Sequence, residues 1–172
     1  MNVLPDGIQQ KHLTGGQATP LGRWLSLLIP GVLLTLAMAG LFGGGRSARL
    51  IADAPSAHAA LTIPTTLRSG VFFETDVDVL ARKDIEDLTI ALTAELWRDM
   101  TINTTLPEAA EQDYRGGLFR FRYGPVKAGN RIKIKFDGQI NPPLIGINRG
   151  EVAVFDGQNR LATIPVTIKV LP

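Results

Sequence analysis

The chain has 172 residues, which is enough for one ordinary domain beside a short additional segment. Hydrophobic residues make up 45% of it, so that domain can bury a core without cross-links. There is no cysteine, which excludes a disulfide framework, a thiolate metal site and a cysteine nucleophile. The formal net charge of +2 is too small to indicate nucleic-acid binding.

Residues 1–22 contain glycines and prolines but no apolar periodicity. This composition predicts a flexible N-terminal arm, because the segment cannot bury enough apolar surface to order itself in water. We expect the arm to become ordered only where a partner packs against it.

Residues 24–42 form a run of nineteen residues without a charged side chain. A helix of that length reaches about 28 Å, close to the hydrocarbon thickness of a bilayer. Arg23 precedes the run, and three glycines and then Arg46 follow it. The sequence therefore predicts one transmembrane helix over residues 23–45.

Two other interpretations of this run stay open. Residues 37–39 have the small-x-small form of a cleavage site, so the run could be a signal peptide that is removed. A buried helix of a soluble domain fits less well, because such a helix has a polar face and this one offers only Ser26 and Thr35.

The predicted helix carries features suited to contact with other helices. Pro30 and Gly31 are expected to bend it about a third of the way along, because proline removes one backbone hydrogen bond. Small side chains toward its outer end allow neighbouring helices to approach closely. The predicted partner contacts of the helix are Trp24, Pro30, Gly31, Ala37 and Gly40.

Positive charges on the two sides of the helix nearly balance, with Lys11 and Arg23 before it and Arg46 and Arg49 after it. A short arm, one span and a long folded domain make the simplest export topology. We therefore expect a single-pass protein of the bacterial inner membrane, with a cytoplasmic N-terminus and a periplasmic C-terminal domain.

Residues 46–60 are rich in small side chains and are predicted to form a linker. From Leu61 onward apolar and polar residues alternate, which indicates strands with one face in a core and the other in solvent. The core positions predicted from this alternation are Phe73, Val77, Ile90, Leu92, Phe121, Ile134, Val154, Val166 and Ile168.

Clusters of glycine, proline and asparagine separate the alternating runs, and no long helical pattern interrupts them. About seven to eight strands result. Residues 61–172 are therefore predicted to form an all-β domain, an antiparallel immunoglobulin-like β-sandwich. The Cys…Trp…Cys pattern of true immunoglobulin domains is absent.

Charge is segregated along this domain, and residues 115–135 contain seven basic residues and no acidic one. Two neighbouring strands carry basic side chains on one face: Arg120 and Arg122 on the first, and Arg131, Lys133 and Lys135 on the second. A turn over residues 127–130 would pair these strands as a hairpin. Like charges would then stack, at a cost of a few tenths to about 1 kcal/mol per pair.

A negative group should offset this repulsion. One candidate is internal: the strand that carries Glu74, Asp76 and Asp78, or a carboxylate from a loop. The other is an acidic partner surface or anionic lipid, which would make the five basic residues a docking face. Nucleic acid is not expected there, since the aromatic side chains of the first strand face inward and cannot stack on bases.

The sequence predicts no catalytic, metal-binding or cofactor-binding residues. His12 and His58 are the only histidines, and they lie on opposite sides of the predicted helix, so they cannot build a triad or a metal cluster together. Alternate strand carboxylates such as Glu74 and Asp76 are about 7 Å apart along the chain, which does not suit a calcium site.

These features favour a non-catalytic accessory or structural subunit of a membrane protein complex, such as a photosynthetic or respiratory electron-transfer assembly. The expected partners are the lipid bilayer and other integral membrane subunits. A membrane-tethered assembly factor or ligand-binding module is the alternative. An anchored hydrolase would need carboxylates clustered around a deep pocket.

Overall fold

The computed structural model describes residues 20–44 and 46–172. The chain divides into two compact units, Met1–Met38 and Ala39–Pro172. In the first unit, helix α1 spans Pro20–Met38. Within the described ranges, no helix combines the length and the apolar character needed to cross a membrane.

Helix α1 differs in its bounds from the helix predicted over residues 23–45. It begins at Pro20, a residue that suits the first helical turn because its missing N–H would be unpaired there in any case. It ends at Met38, and Gly40 then adopts a φ of 76°, the left-handed conformation with which glycine commonly ends helices. Of the predicted arm, residues 20–22 belong to α1, and residues 1–19 lie outside the described residues.

Eleven strands and a second, short helix follow in the described part of the second unit. The strands are β1 (Ser47–Asp53), β2 (Ala57–Pro64), β3 (Thr66–Arg68), β4 (Phe72–Ala81), β5 (Ile85–Thr93), β6 (Met100–Leu106), β7 (Glu111–Arg115), β8 (Leu118–Val126), β9 (Arg131–Ile140), β10 (Gly146–Asp156) and β11 (Asn159–Leu171). Helix α2, Ala94–Trp97, lies between β5 and β6.

The strands form a sandwich of two sheets. Sheet I has five strands in the order β1-β2-β4-β9-β6, and sheet II has six in the order β3-β11-β10-β5-β8-β7. Neighbouring strands are antiparallel except β3 and β11, which run parallel. The predicted all-β sandwich is confirmed, with more strands than the seven to eight expected and with one parallel pair.

The core lies between the two sheets, and all nine core positions predicted from the alternation are buried. Phe121 of sheet II packs edge-on against Phe136 of sheet I, with ring centroids 5.1 Å apart. The prediction holds because a strand with one buried face repeats its apolar residues with a period of two.

Residues 46–60 are not the predicted linker, because they form β1 and the beginning of β2. Leu50 and Ala52 pack against the core, and Ala57 and Ala59 are buried in it. The alternation is present here, but alanine contrasts weakly with its small polar neighbours. The sequence pattern is therefore faint, although the segment contributes buried alanines to the core.

The predicted hairpin between the two basic strands is also wrong. Strand β8 pairs with β5 and β7 in sheet II, whereas β9 pairs with β4 and β6 in sheet I. The turn over residues 127–130 carries the chain from one sheet to the other. The two basic sets therefore do not face each other across a hairpin, and the expected repulsion between them does not arise.

Strand β5 ends at Thr93 and α2 begins at Ala94, although apolar residues keep their alternate spacing from Leu88 to Leu96. Gly150 of β10 gives α2 room, since a Cβ at this position would lie 2.5 Å from Leu96 Cβ and 2.9 Å from Leu96 N. The buried side-chain amide of Asn148 donates to Leu96 O at 2.5 Å, which satisfies a carbonyl of the short helix. Contacts from a distant strand thus stabilise this helix.

Candidate interaction surfaces

The residues predicted as helix contacts lie on α1 or just beyond it. Four of them are exposed on α1: Trp24, Pro30, Gly31 and Ala37. The hydroxyl of Thr35 donates to Gly31 O at 2.8 Å, one turn back along the helix. Gly40 ends the helix instead of lining it. Their contact with partner subunits stays a prediction.

The basic face of β9 lies beside the acidic side chains of β4 in sheet I. Three salt bridges join the strands: Lys135 Nζ to Glu74 Oε2 at 2.8 Å, Lys133 Nζ to Asp76 Oδ2 at 3.1 Å, and Arg131 Nε to Asp78 Oδ1 at 3.4 Å. We call these six residues the charge ladder. The internal candidate for the offsetting charge is therefore confirmed for β9.

The charge ladder faces solvent. The hydrogen bond that Lys135 donates to Glu74 raises the pKa of Lys135, and the negative charge of Glu74 adds to the shift. Because both side chains are partly exposed, water and salt screen this pair. The ladder joins β4 to β9 diagonally, because Lys135 lies opposite Asp76 and Lys133 lies opposite Asp78 in the strand pairing. It also neutralises the basic face of β9.

On β8, the basic side chains are engaged within sheet II. Arg122 Nε lies 3.0 Å from Asp87 Oδ2, and its guanidinium also pairs with Glu111 on the edge strand β7. These two carboxylates come from strands on either side of β8. The negative charge beside Arg122 therefore comes from the neighbouring strands and not from a loop. The sequence alone could not show that β5 and β7 are the neighbours of β8.

A second small apolar cluster lies on the outer face of sheet II and consists of Ala91, Ala153 and Phe155. The guanidiniums of Arg120 and Arg160 lie 4.9 and 5.3 Å from the centroid of the Phe155 ring. They cover the ring by cation–π contact, which explains why an outward-facing phenylalanine is buried. All five basic residues predicted as a docking face contact other residues of the second unit at its surface. Their contact with a partner stays a prediction.

The only histidine in the second unit belongs to a polar cluster at the β1–β2 turn. Asp53 Oδ1 lies 2.8 Å from His58 Nδ1 and accepts from Arg82 Nη2 at 2.5 Å. The hydrogen bond to His58 lowers the pKa of Asp53, and Arg82 lowers it further. In the part of the chain that the structure describes, no three His, Cys, Asp or Glu side chains are grouped so as to hold a metal ion.

Surface clefts lie at several places on the sandwich. One of about 390 Å³, at the edge strands β6 and β7, is lined by Ile102, Asn103, Thr104, Thr105, Glu108 and Gln112. Another of about 490 Å³ is lined by Ala94, Glu95, Trp97, Arg98, Asp99 and Phe119. Neither lining combines a nucleophile, a general base and a group that orients the base.

Ion pairing separates two kinds of basic residue that look alike in the sequence. The basic residues of β9 are paired, whereas Arg46, Arg68 and Lys169 are exposed and, among the described residues, have no carboxylate within salt-bridge distance. Sequence reasoning missed these three, since they are distant along the chain and only the fold brings them to one end of the sandwich.

No protein-family model matches the chain, and no curated protein matches its sequence. Among solved structures, it is similar to a non-cellulosomal cohesin from the hyperthermophilic archaeon Archaeoglobus fulgidus, at 10% identity and a TM-score of 0.42, over 74% of this chain and 93% of that one. It is also similar to a chain of the Coh-OlpA-Doc918 type I cohesin–dockerin complex from Clostridium thermocellum, at 10% identity and a TM-score of 0.40, over 74% and 100%. A third is the GH20 exo-β-N-acetylglucosaminidase of Vibrio harveyi in complex with N-acetylglucosamine, at 11% identity and a TM-score of 0.30, over 74% and 18%. At these TM-scores, the three likenesses support no conclusion about function.

Proposed function

We propose that this chain is a membrane-held, non-catalytic accessory subunit of a membrane protein complex. Helix α1 and the uncharged residues 24–42 are its attachment, and the sandwich lies on the periplasmic side of a bacterial inner membrane. The observation that carries the proposal is the exposure of apolar side chains around the whole circumference of α1.

Three consecutive residues of α1 illustrate this exposure. Leu27, Leu28 and Ile29 are 68%, 58% and 55% exposed, and consecutive residues of a helix point about 100° apart. Trp24, at 72%, and Met38, at 90%, extend the exposure to both ends. A helix of a soluble domain buries one face, whereas none of the described side chains of α1 is buried. Lipid tails or apolar helices of partner subunits would cover this surface.

The sandwich supports a structural role. Its acidic strand β4 is committed to the charge ladder, so Glu74, Asp76 and Asp78 each have a basic neighbour on β9. The apolar core between the sheets and the paired charges on the outer face of sheet I are consistent with a domain that stabilises an assembly.

The attachment is tested on the full chain in isolated membranes. We expect the protein to stay with the membranes after high-salt and alkaline washing, because these treatments release proteins held by charge and retain inserted helices. Replacing Leu28 and Leu34 by aspartate should release it, since each buried charge costs about 2.5–3.5 kcal/mol in the middle of an inserted helix.

The control is Ile51→Asp, which places one such charge at an exposed apolar residue of β1. This variant should stay with the membranes. Release of the unaltered chain by salt would refute membrane attachment through α1. An intact mass that corresponds to a chain beginning at Gly40 would show instead that the segment is a cleaved leader.

A membrane-tethered assembly factor or ligand-binding module is the second candidate. The cleft of about 390 Å³ at β6 and β7 favours it, because small-molecule sites occupy about 300–1,000 Å³ and use a few polar groups. Purification in mild detergent separates the two functions. A structural subunit is recovered in a fixed ratio to its complex, whereas an assembly factor is substoichiometric.

A further inference from the structure

We propose that one end of the sandwich rests on an anionic lipid surface and inserts apolar side chains among the headgroups. This end, the entry end, is where the chain enters the second unit at residues 39–44. The inference rests on the proposed membrane attachment and adds which part of the sandwich meets the lipid. It follows from the backbone contacts, the exposed apolar residues and the unpaired cations of that end.

Backbone contacts bring the entering chain onto the short edge strand β3. Gly44 N donates to Thr66 O at 3.2 Å, and Arg68 Nε donates to Phe42 O at 2.9 Å. A Cβ at Gly43 would lie 3.3 Å from the backbone carbon of Leu67, so the chain passes close against this strand. Residues 42–44 are therefore part of the sandwich surface.

Two further loops meet at the same end. Two hydrogen bonds from the β3–β4 turn show this: Ser69 Oγ donates to Pro142 O at 2.9 Å, and Gly70 N donates to Ile140 O at 3.0 Å. Ile140 ends β9 in sheet I, and residues 141–145 connect it to β10 in sheet II. These two contacts therefore lie where the chain passes between the sheets. Segments from three separate parts of the chain thus form one surface.

Large apolar side chains are exposed around this surface: Leu41, Phe42, Phe72, Ile145 and Ile147. Leu41 and Phe42 belong to the entering chain, and Ile145 belongs to the β9–β10 connection. Phe72 begins β4 in sheet I and Ile147 lies near the start of β10 in sheet II. Both sheets therefore contribute to one apolar rim.

The same end carries cations without ion-pair partners. The backbone of Thr65 links two of them, donating to Arg46 O at 3.2 Å and accepting from Lys169 N at 2.9 Å. Arg68 lies three residues further along the chain. Arg46, Arg68 and Lys169 are all exposed, and no described carboxylate pairs with them. Asp99, which follows α2, lies 3.8 Å from Arg98.

The opposite, distal end of the sandwich has a different character. Its turns are closed by polar contacts: Asp84 accepts from Lys127 Nζ at 2.9 Å and from Ala128 N at 2.8 Å, and Asp156 Oδ1 accepts from Asp87 N at 3.0 Å. None of the exposed large apolar side chains of the described residues lies in these turns. Lys83 is the distal cation without an ion pair in the described chain.

An apolar rim bordered by unpaired cations matches the chemistry of an anionic membrane surface. Apolar side chains gain by entering the headgroup region, and Arg and Lys keep their charge among lipid phosphates. An acidic protein surface would attract the cations but would not favour five exposed apolar residues around them. The connection to the uncharged residues 24–42 also places this end, and not the distal one, next to the proposed attachment in the sequence.

The absence of cysteine allows a direct test, because each introduced cysteine is the only one in the chain. The full chain is reconstituted in vesicles with phosphatidylglycerol, and a fluorophore is attached at Ile145→Cys, Ile51→Cys or Asn130→Cys. Ile145 and Ile51 are matched, at 59% and 56% exposed, and Asn130 lies in a distal turn. Lipids with a headgroup nitroxide then quench labels that touch the surface.

We expect quenching at position 145 to be several-fold stronger than at positions 51 and 130. Adding Arg68→Glu and Lys169→Glu should reduce it toward the value at position 51, and replacing phosphatidylglycerol by phosphatidylcholine should act in the same direction. Circular dichroism of each variant checks that the sandwich remains folded.

Equal quenching at all three positions in chains that float with the vesicles would overturn the proposal while leaving the attachment intact. Failure of the unaltered chain to float would instead refute the attachment itself. If position 145 is unquenched in vesicles yet protected from labelling in native membranes, a partner protein covers the entry end and the lipid assignment is wrong.

Discussion

The replacement Gly150→Ala tests how the short helix α2 is held against β10. A Cβ at position 150 would lie 2.5 Å from Leu96 Cβ and 2.9 Å from Leu96 N, and it would also meet the hydroxyl oxygen of Thr93. The backbone nitrogen of Leu96 cannot move away without shifting α2. The helix must therefore separate from the strand to accommodate one methyl group.

The magnitude follows from three contributions. Overpacking costs about 1–3 kcal/mol. Displacing α2 also loosens the 2.5 Å bond from Asn148 to Leu96 O, and an unsatisfied buried amide costs about 1–3 kcal/mol. The third contribution has the opposite sign: alanine restricts the unfolded chain, which stabilises the folded state by about 0.4–1 kcal/mol. We expect a net loss of about 1–5 kcal/mol in the free energy of unfolding.

The assay is chemical unfolding followed by tryptophan fluorescence in a Trp24→Phe background, so that Trp97 of α2 is the only reporter. Trp97 is buried, and displacement of α2 should shift its emission to longer wavelength before unfolding begins. Thr167→Ala, an exposed change on the adjacent β11, is the control and should leave both readouts unchanged. An unaltered midpoint and emission in Gly150→Ala would refute the close packing of α2 on β10.

Two further predictions concern the core and the charge ladder. Phe121→Ala should lower the free energy of unfolding by about 3–5 kcal/mol, because it removes a buried ring that packs on Phe136. Denaturant unfolding measures this loss. The control is Tyr114→Ala at an exposed position of the edge strand β7, which should cost about 1 kcal/mol or less. The raised pKa of Lys135 predicts that its contribution is fully present below pH 10.5, its ordinary pKa, and is lost as the pH rises through the raised value. Thermal melts at increasing pH should show this loss in the unaltered chain and not in Lys135→Gln, and identical pH profiles would contradict it.

The period-two pattern was sufficient to predict the sandwich and its core. Phe121, Ile134 and Val154 are buried as expected, because burial of one strand face depends only on which residues alternate locally. The same reasoning failed over residues 46–60, where alanine occupies the buried positions and weakens the contrast. It failed again over residues 94–97, where a distant strand stabilises a helix.

What the sequence by itself determined is therefore local: an uncharged run at 24–42, strands with one apolar face, and segregated charge. Which strands pair was decided only by the tertiary structure. Strand β9 could have met β8 through the turn at residues 127–130, yet it lies against β4, where carboxylates offset its charge. The choice depends on contacts between segments more than fifty residues apart in sequence, as between Glu74 and Lys135, 61 positions apart. Local periodicity carries no information about such partners, because any strand of suitable alternation satisfies it equally well.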